Sequence, residues 1–352
     1  MNLPKMIFSG EWPTSHVQGI AVDTERKFIY FSLTTVLVKC DMQGNLIGWV
    51  GGLTGHLGCL DFCDEDGRVY GSLEYKAEEA FYIAIFDVDK IDRPGMDAEK
   101  DGVMTTVYLK EVVDDFCADM DGNGVFDGDR ADTPDHRYGC SGIDGVAFGP
   151  AFGDFKGEKL YLNVAYGIYA NVSRDDNDYQ VILRYDIADW KQYEKPLSQK
   201  NPHTSGPAQP DDKYFLFTGN TSFGVQNLEY DAHTGHWLLA VYEGWKEQYP
   251  NFPMYIIDGS KAPVVGEIKG QKEYEEGKLL SLLQDGILDE KSGVYGWTFE
   301  YGSTGLFSLD NGYFYISHNA NRVTEEGKRV EYSNVHLYRW TGETPKPFEM
   351  VE

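Results

Sequence analysis

The 352-residue sequence lacks the motifs of several large protein classes. It has no CxxC pair, no apolar run long enough to span a membrane, and no signal-peptide pattern in its opening MNLPKMIFSGEW. The GxSxG nucleophile elbow, the GxxxxGK[ST] phosphate loop, HExxH and a dinucleotide glycine fingerprint are also missing. The chain therefore offers no familiar nucleophile, phosphate, zinc or dinucleotide site.

Basic residues are scarce, with 31 against 57 acidic residues and a formal net charge of −26. This balance argues against binding to nucleic acid or to an anionic membrane surface. An acidic surface draws cations, although it is also the ordinary surface of a well-solvated protein. If Met1 is the native start, we expect a cytoplasmic protein. The odd number of cysteines then predicts reduced core thiols at Cys40, Cys59, Cys63, Cys117 and Cys140.

What the sequence does contain is one two-strand pattern that recurs five times. Each copy has a short apolar strand, a turn with Asp, Gly or Asn, and a second strand ending in small or polar residues. The copies are HVQGIAVDTERKFIYFSLTT, HLGCLDFCDEDGRVYGSLEY, GIDGVAFGPAFGDFKGEKLYLNVAYG, GVQNLEYDAHTGHWLLAVYEG and GSTGLFSLDNGYFYISHN. Repeated short strands with glycine-rich turns indicate a β-repeat architecture. The 14% aromatic content and the lack of long helical periodicity also favour packed sheets.

The repeats predict an all-β, five-bladed β-propeller that forms a single domain over residues 1–352. The N-terminal segment Lys5–Trp12 is predicted to close the ring by pairing with the other end of the chain, at His336–Trp340 or Phe348–Val351. Leu279–Leu283 is predicted as the outer strand of blade four. The sequence gives no indication of oligomeric state.

An acidic insertion interrupts the repeats. Ile20 and Leu60 are 40 positions apart, whereas Leu60 and Val146 are 86 apart, and most of the surplus falls in residues 91–140. Loops of this length inside a compact domain are commonly lids, metal loops or disordered tracts. We predict a lid or insertion at 91–140, with the lid itself in Asp114–Asp135.

The repeat alignment predicts which side chains surround one mouth of the central funnel. Connections that enter the inner strands, and loops that leave the second strands, lie on the same face of a propeller. The candidate catalytic residues are His16, His56, Glu74, Asp144 and Glu243. The candidate ligand-binding residues are Gln18, Tyr75, Lys76, Tyr166, Gln226, Asn227, Tyr242, Thr304 and His318.

These residue types suit a small polar ligand such as a sugar, a lactone or a carboxylic acid. The two histidines can serve as general acids or bases, or converge on a divalent metal at the mouth, and the paired carboxylates can supply acid–base chemistry. Simple hydrogen bonding of each residue to neighbouring loops is the alternative.

A calcium loop is predicted in the insertion. The nine residues DMDGNGVFD resemble the first half of the calcium loops of EF-hand and dockerin-type proteins. The resemblance implies ligands at Asp119, Asp121, Asn123, Val125 and Asp127 within a Ca²⁺ loop at residues 119–129. Arg130 stands where the final Glu is expected, with Asp129 and Asp132 nearby. A solvated acidic turn is the alternative.

The phrasing GIAVD…IYFS resembles the blades of the gluconolactonase and senescence-marker-like group. That resemblance implies hydrolysis of lactones or esters with a central divalent cation. Because the group has six blades, six is the alternative to the five counted here. The segments HVQGIAVD, GLTGHLGCLDF and YGCSGIDG are also similar to an uncharacterised bacterial propeller family. The functional hypotheses are a small-molecule-binding propeller that acts as a metal-dependent hydrolase, and a non-catalytic module that binds a protein or a glycan.

Overall fold

The computed structural model describes residues 3–352 and shows a five-bladed β-propeller, as predicted. Each blade begins with an inner strand at the ring axis, and its strands pair antiparallel apart from the edge strands Met96–Asp97 of blade 1 and Glu276–Leu279 of blade 3, which pair parallel. Blade 1 consists of Gly19–Asp23, Phe28–Leu33, Val36–Asp41 and Leu46–Gly51, with Met96–Asp97 at its outer edge. Blade 2 consists of His56–Cys63, Arg68–Tyr75, Ala80–Phe86 and Met104–Tyr108.

The remaining blades carry additional edge strands. Blade 3 consists of Cys140–Gly149, Tyr161–Ile168, Tyr179–Tyr185 and Asp212–Phe217, extended by Glu276–Leu279 and Val264–Glu267. Blade 4 consists of Ser222–Asp231, His236–Tyr242 and Met254–Ile257, with the hairpin Ile287–Asp289 and Val294–Gly296 beside it. Blade 5 consists of Leu306–Ser308, Tyr313–Val323 and Arg329–Trp340, followed by Met6–Phe8 and Phe348–Met350.

The inner strands form a closed ring. Each contacts the inner strands of the two adjacent blades, and blade 5 contacts blade 1. All five residues of Gly19–Asp23 are buried, because neighbouring blades cover both faces of the strand. The inner strands run in the same direction along the ring axis. Their N-terminal ends therefore meet at one face of the ring and their C-terminal ends at the other.

The two chain termini close the ring on blade 5. Met6–Phe8 pairs antiparallel with residues 334–336, and Phe348–Met350 pairs with residues 338–340 of the same long strand. Ile7 is buried at this seam with 1% of its surface exposed. The predicted closure by a terminal strand is confirmed, because pairing removes the open edge of the last blade.

The region predicted as an insertion contributes to two blades as well as forming a loop. Met104–Tyr108 is the outer strand of blade 2, and the α-helix Lys110–Phe116 follows it. An acidic loop, residues 118–136, then leads to blade 3. The prediction for Leu279–Leu283 was wrong in part: Leu279 pairs with Phe215 of blade 3.

Four single 3₁₀ turns complete the secondary structure, at Lys76–Glu78, Val88–Lys90, Arg137–Gly139 and Trp190–Gln192. In the described residues the cysteines are unpaired; Cys40, Cys59, Cys63 and Cys140 lie in the core as predicted, whereas Cys117 is only partly buried. None of the helices in residues 3–352 has the length and apolar character needed to cross a bilayer.

Candidate functional site

A cavity of about 570 Å³ opens where the inner strands begin, and we call it the entry cavity. A volume of this size accommodates a small-molecule ligand. Many of the predicted site residues line it together, namely His16, Gln18, His56, Glu74, Tyr75, Lys76, Asp144, Gln226 and Tyr242. The other lining residues are Thr54, Gly55, Ala77, Glu78, Ser141 and Phe223.

Bulges in three inner strands lie beside the entry cavity. The pairing register shifts between Leu57 and Leu60 in blade 2, between Ile143 and Val146 in blade 3, and between Val225 and Asn227 in blade 4. A bulge changes the direction in which neighbouring side chains point, and bulges are frequent next to active sites. Asp144 and Gln226 both lie within such irregular segments.

Glu74 is buried in the cavity wall, with 6% of its surface exposed. Its Oε1 accepts a hydrogen bond from the backbone N–H of Ile143 at 2.6 Å. The backbone approaches this closely because residue 142 is glycine: a Cβ there would overlap Glu74 Oε1, and its φ of +120° disfavours other residues. Burial raises the pKa of Glu74, whereas the positive charge of Lys76 lowers it by a smaller amount.

Asp144 faces the same cavity and accepts a hydrogen bond at Oδ2 from Gln226 Nε2 at 3.0 Å. Burial raises the pKa of Asp144 well above its ordinary value, and the negative charge of Glu74 raises it further. Lys76 and Gln226 act in the opposite direction. Ionisation of Glu74 therefore favours the protonated form of Asp144, an arrangement that keeps a proton available in the cavity.

Lys76 supplies a positive charge beside these carboxyl groups. Its Nζ lies 3.8 Å from Glu74 Oε2. Burial alone would lower the pKa of Lys76, but the negative charges of Glu74, Asp129 and Asp144 outweigh burial and raise it. The side chain is therefore a permanent cation at neutral pH.

His56 is a neutral imidazole in this environment. Burial and the charge of Lys76 lower the pKa of His56 to about 4. Its Nδ1 lies 3.9 Å from Glu74 Oε2 and has no hydrogen-bond partner in the described part of the chain. A buried ring nitrogen without a partner is available to a ligand or to a water molecule.

His16 and Tyr242 form a second pair across the cavity. The Tyr242 hydroxyl and His16 Nε2 are 3.4 Å apart. Burial lowers the pKa of His16 and raises the pKa of Tyr242 to about 12, so both groups are neutral near pH 7. Gln18 Nε2 donates a hydrogen bond to Thr34 Oγ1 at 3.1 Å, and the Tyr75 hydroxyl donates to Gln199 Oε1 at 2.9 Å.

The structure places some of the predicted residues away from the cavity. Tyr166 is buried between blades, where its hydroxyl donates to Asp115 Oδ2 at 2.8 Å. Asn227 is buried at the ring axis, and its Nδ2 donates to the carbonyl oxygens of Gln18 at 2.9 Å and Ser303 at 3.0 Å. Both side chains are occupied by structural hydrogen bonds.

The last three predicted residues also lie outside the lining. His318 stacks on Tyr301 with ring centroids 3.6 Å apart, and its Nε2 is 2.9 Å from the Tyr338 hydroxyl. Glu243 is exposed just beyond the end of its strand. Thr304 lies in the turn that precedes Leu306–Ser308.

Six lining residues were missed as site candidates, namely Thr54, Gly55, Ala77, Glu78, Ser141 and Phe223. Ser141 lies in the segment YGCSGIDG, next to a glycine that the chain needs for a close approach, and this was a usable signal. Phe223 is 57% exposed and has a φ of +62°. An exposed aromatic residue in a left-handed conformation cannot be recognised from the residue pattern alone.

The predicted divalent metal at the mouth does not match the donor set of the entry cavity. Among residues 3–352, three metal-ligating atoms come within 4.8 Å of one another only at Asp119, Asp121 and Asp135. His16, His56 and Asp144 do not form such a group. The Lys76 ammonium, close to Glu74, also disfavours a second cation.

The acidic loop brings together part of the predicted calcium ligand set. Carboxylate oxygens of Asp119, Asp121 and Asp135 lie within 4.8 Å of one another. Asp119 Oδ2 accepts from the N–H of Gly124 at 2.7 Å, and Asn123 Oδ1 accepts from the N–H of Val125 at 2.7 Å.

Asp135 was missed by sequence analysis, because it lies beyond the spacing of the known calcium loops. It is fully buried, and its carboxylate accepts from the N–H groups of Met120 at 3.2 Å and Asp127 at 3.0 Å. Asp127 itself accepts from the Thr133 hydroxyl. Asp135 therefore adds a third carboxylate to those of Asp119 and Asp121.

Blade 3 anchors the acidic loop beside the entry cavity. Arg174 donates to the carbonyl oxygens of Thr133 and Asp135, each at 2.8 Å, and the Tyr169 hydroxyl donates to Asp129. The charge of Asp129 contributes to the raised pKa of both Glu74 and Lys76. The loop thus influences the electrostatics of the cavity from its edge.

Comparisons with known proteins do not extend this description beyond the fold. A scan against protein-family models finds no match, and a search of curated proteins finds no relative. Among solved structures, the Dos1 propeller is 12% identical, with 91% of this chain and 78% of that chain covered and a TM-score of 0.34. The holo PQQ domain of pyranose dehydrogenase from Coprinopsis cinerea is 11% identical, with 90% and 81% covered and a TM-score of 0.41.

The β-propeller domain of Myceliophteria thermophila Cps50 (Swd1) is 10% identical, with 90% of this chain and 83% of that chain covered and a TM-score of 0.29. At these identities and TM-scores the neighbours say nothing about function. The assignment of five blades rests on the strand pairing of this chain.

Proposed function

We propose that the entry cavity binds a small polar molecule, a sugar, a lactone or a carboxylic acid, and that the protein hydrolyses a lactone, ester or glycosidic bond in it. The observation that supports this proposal is the convergence of Glu74, Asp144, Lys76 and His56 on one cavity of about 570 Å³. Titratable groups with shifted pKa values that meet in a cleft are typical of acid–base sites.

Within this ligand class, a neutral sugar or lactone suits the cavity best. An anionic ligand would meet the negative charge of Glu74, with only Lys76 to compensate. The ring of Phe223, which is 57% exposed at the cavity, offers an apolar face on which a sugar or lactone ring can stack.

The side chains suggest how the reaction is divided among them. Protonated Asp144 is suited to protonate the leaving oxygen, because burial and the charge of Glu74 raise its pKa well above the ordinary value. Neutral His56, with its unpartnered Nδ1, is suited to hold and orient the attacking water by a hydrogen bond. The Lys76 ammonium stabilises negative charge that develops on the substrate oxygen. No step requires a metal at the mouth.

The alternative is a non-catalytic module that recognises a protein or a glycan. Two exposed aromatic residues favour this alternative: Phe223 is 57% exposed and Trp245 is 58% exposed, three residues beyond the cavity-lining Tyr242. Exposed aromatic side chains of this kind are typical of recognition surfaces. Under this alternative, ligands bind without being turned over.

We also propose that Ca²⁺ binds the acidic loop through Asp119, Asp121, Asn123, the carbonyl of Val125, and Asp127, with Asp135 as the additional carboxylate. The arrangement that supports this proposal is the approach of three carboxylates within 4.8 Å around a glycine-rich turn. Calcium would neutralise these charges and stabilise the loop that anchors Asp129 near the cavity.

A thermal-shift screen against sugars, lactones and carboxylates tests the main proposal, followed by product analysis for each ligand that binds. A ligand at 100 times its Kd stabilises the native protein by about 2.7 kcal/mol. The double variant His16→Ala/His56→Ala should lose the shift and remain folded. Glu74→Gln should bind but not turn over, whereas Glu326→Gln, at a carboxylate 76% exposed, should behave as wild type. Unchanged binding in the double variant would remove the proposed site.

A calcium titration of the purified protein tests the loop. Ca²⁺ should raise the melting temperature, and Asp135→Asn should abolish the effect. Asp132→Asn, at a side chain 72% exposed, is the matched control and should retain it. An equal response of both variants would contradict a role for Asp135.

A further inference from the structure

A second cavity, of about 240 Å³, opens at the opposite face of the ring, and we call it the basal cavity. It is formed where the inner strands end, in blades 2 to 5. The residues that line it are Asp61, Phe62, Cys63, Asp64, Glu65, Phe148, Leu160, Ile187, Glu229, Tyr230, Ala232, Phe307, Ser308 and Asp310. None of the mouth residues predicted from the sequence is among them, and the proposed hydrolysis does not use it.

The basal cavity combines carboxylates with aromatic rings and contains no basic side chain. Every charged residue of its lining is acidic, and no Lys or Arg is among them. The rings of Phe62, Phe148, Tyr230 and Phe307 supply the apolar part. Aromatic faces and carboxylates together form the usual recognition surface for an organic cation.

Glu229 provides an oxygen for which the protein has no donor. The side chain is 5% exposed, and its Oε1 accepts from the backbone N–H of Ser308 at 2.6 Å. Its Oε2 accepts no hydrogen bond from any residue in the described range 3–352. This oxygen is not among the fully buried atoms that lack a partner, so it is open to the cavity that Glu229 lines, where it can accept a hydrogen bond from a ligand that brings an N–H.

Asp61, by contrast, is fully used by the protein. Its Oδ1 accepts from the N–H of Phe62 at 2.7 Å, and its Oδ2 accepts from the N–H of Phe148 at 2.6 Å. It adds a second negative charge to the buried floor without needing a donor of its own. Asp64, Glu65 and Asp310 are exposed at the rim. The negative charge is thus split between a buried floor and an open rim.

A bare metal ion fits this arrangement poorly. In the described part of the chain, the acidic residues of the basal cavity do not bring three ligating oxygens within 4.8 Å of one another. Aromatic rings also contribute nothing to a hard cation such as Mg²⁺, which requires oxygen ligands. A quaternary ammonium has no N–H to offer Glu229 Oε2, whereas a primary ammonium does.

We propose that the basal cavity binds an α,ω-alkyldiamine, with one ammonium at Glu229 and Asp61, its carbon chain against the aromatic rings, and the second ammonium at the acidic rim. Each part of the ligand then has a matching part of the cavity. A bound cation also relieves the repulsion between the buried carboxylates, because burial and the charge of Asp61 together raise the pKa of Glu229. The proposal does not depend on the function of the entry cavity.

Isothermal titration calorimetry of the full chain with 1,4-diaminobutane tests the proposal. We expect saturable binding that 1,4-butanediol, tetramethylammonium and Mg²⁺ do not reproduce. Glu229→Gln should weaken diamine binding by about tenfold or more, since it removes the charge and keeps the shape. Glu326→Gln, at an exposed carboxylate, should bind within about twofold of wild type. Circular dichroism should show that both variants are folded.

Phe307→Ala, in a partly exposed ring of the lining, is a second variant if Glu229→Gln does not fold, and should also weaken binding. Each alternative outcome overturns the proposal in a recognisable way. Equal binding of butanediol would show that charge is not recognised, and tighter binding of Mg²⁺ would make the cavity a metal site. Tighter binding of a lysine-containing tripeptide would assign the cavity to a protein partner. No binding of the diamine at millimolar concentration would leave the carboxylates a purely structural role.

Discussion

The two ends of the ring axis are built from the same inner strands but differ in chemistry. The entry cavity mixes neutral imidazoles, carboxyl groups, amides and the Lys76 cation, and bulges interrupt the strands beside it. The basal cavity has carboxylates and aromatic rings, and the pairing there is regular in blades 2 to 4. Residues 226 and 229 of one strand reach opposite cavities although they are only about 10 Å apart along it. The difference suggests that bulges, rather than the repeat itself, create a site with diverse groups.

Removing residues 1–12 should have the largest effect, because it destroys both cavities at once. The closing strand buries Ile7 and pairs with residues 334–336, and its loss should cost at least about 4 kcal/mol of unfolding free energy. Thermal unfolding followed by circular dichroism measures this loss. Met6→Thr, at a side chain 51% exposed on the same strand, is the control and should be nearly neutral. A truncated chain of wild-type stability would show that the ring does not need this strand.

Gly142→Ala should impair the entry cavity and leave the basal cavity unchanged. A Cβ at this position overlaps the Glu74 carboxylate, so we expect at least about tenfold weaker ligand binding at the entry cavity and about 1–3 kcal/mol of destabilisation. Diamine binding at the basal cavity should be unchanged. Gly102→Ala, at a φ of +64° and with no atom within 4 Å of the added Cβ, is the control for an alanine at positive φ. Equal effects of the two variants would mean that the contact with Glu74 is unimportant.

Diamine binding should strengthen as the pH rises from 6 to 8. Burial raises the pKa of Asp61 to about 7, with smaller contributions from Asp64 and Asp310, so the carboxylate that attracts the cation forms only over this range. Ionisation of such a group increases about tenfold between pH 6 and 8, and the affinity should follow it. Glu229, with Asp231 also near it, contributes in the same direction. Calorimetry at three pH values measures the diamine affinity, and an affinity that does not change with pH would contradict the prediction.

His56 should give the smallest pH effect, at the entry cavity and over a lower pH range. Its pKa is lowered to about 4, so the unfolded chain binds a proton more readily than the native protein between pH 6.5 and 4. Stability from this group is present above pH 6.5 and is lost as the pH falls towards 4. The loss should be roughly 1 kcal/mol, because solvent screens the partly exposed ring. In denaturant unfolding, the free energy of unfolding of His56→Gln should decline less steeply than that of wild type below pH 6.5. An identical decline would show that His56 does not contribute to the pH dependence.

The repeat alignment predicted the ring and much of the entry cavity because a propeller places equivalent positions at one opening. His16 and His56, at equivalent positions of adjacent repeats, line the same cavity. Alignment failed where side-chain direction depends on local backbone. Asn227 follows a bulge and points into the ring axis, and Tyr166 faces a blade interface. These directions follow from register, which the residue pattern does not specify.

The basal cavity was missed for a different reason. Asp23, Asp61 and Asp231 all fall near the ends of inner strands, where an acidic residue is readily interpreted as the start of a turn. The repeat alone cannot distinguish an Asp that caps a turn from one that faces a cavity. Asp135 shows the same limit in the acidic loop, since only the folded chain brings it back to Asp119.

The Asn227 amide lies at the ring axis between the two cavities. Its Nδ2 donates hydrogen bonds to the carbonyl oxygens of Gln18 and Ser303, and these bonds link three blades. Its Oδ1 lies 3.4 Å from the Cys59 thiol of a fourth blade. The two cavities share no lining residue, and the contacts of Asn227 lie between them. A ligand in one cavity and a ligand in the other are thus held by separate sets of side chains on a common set of strands.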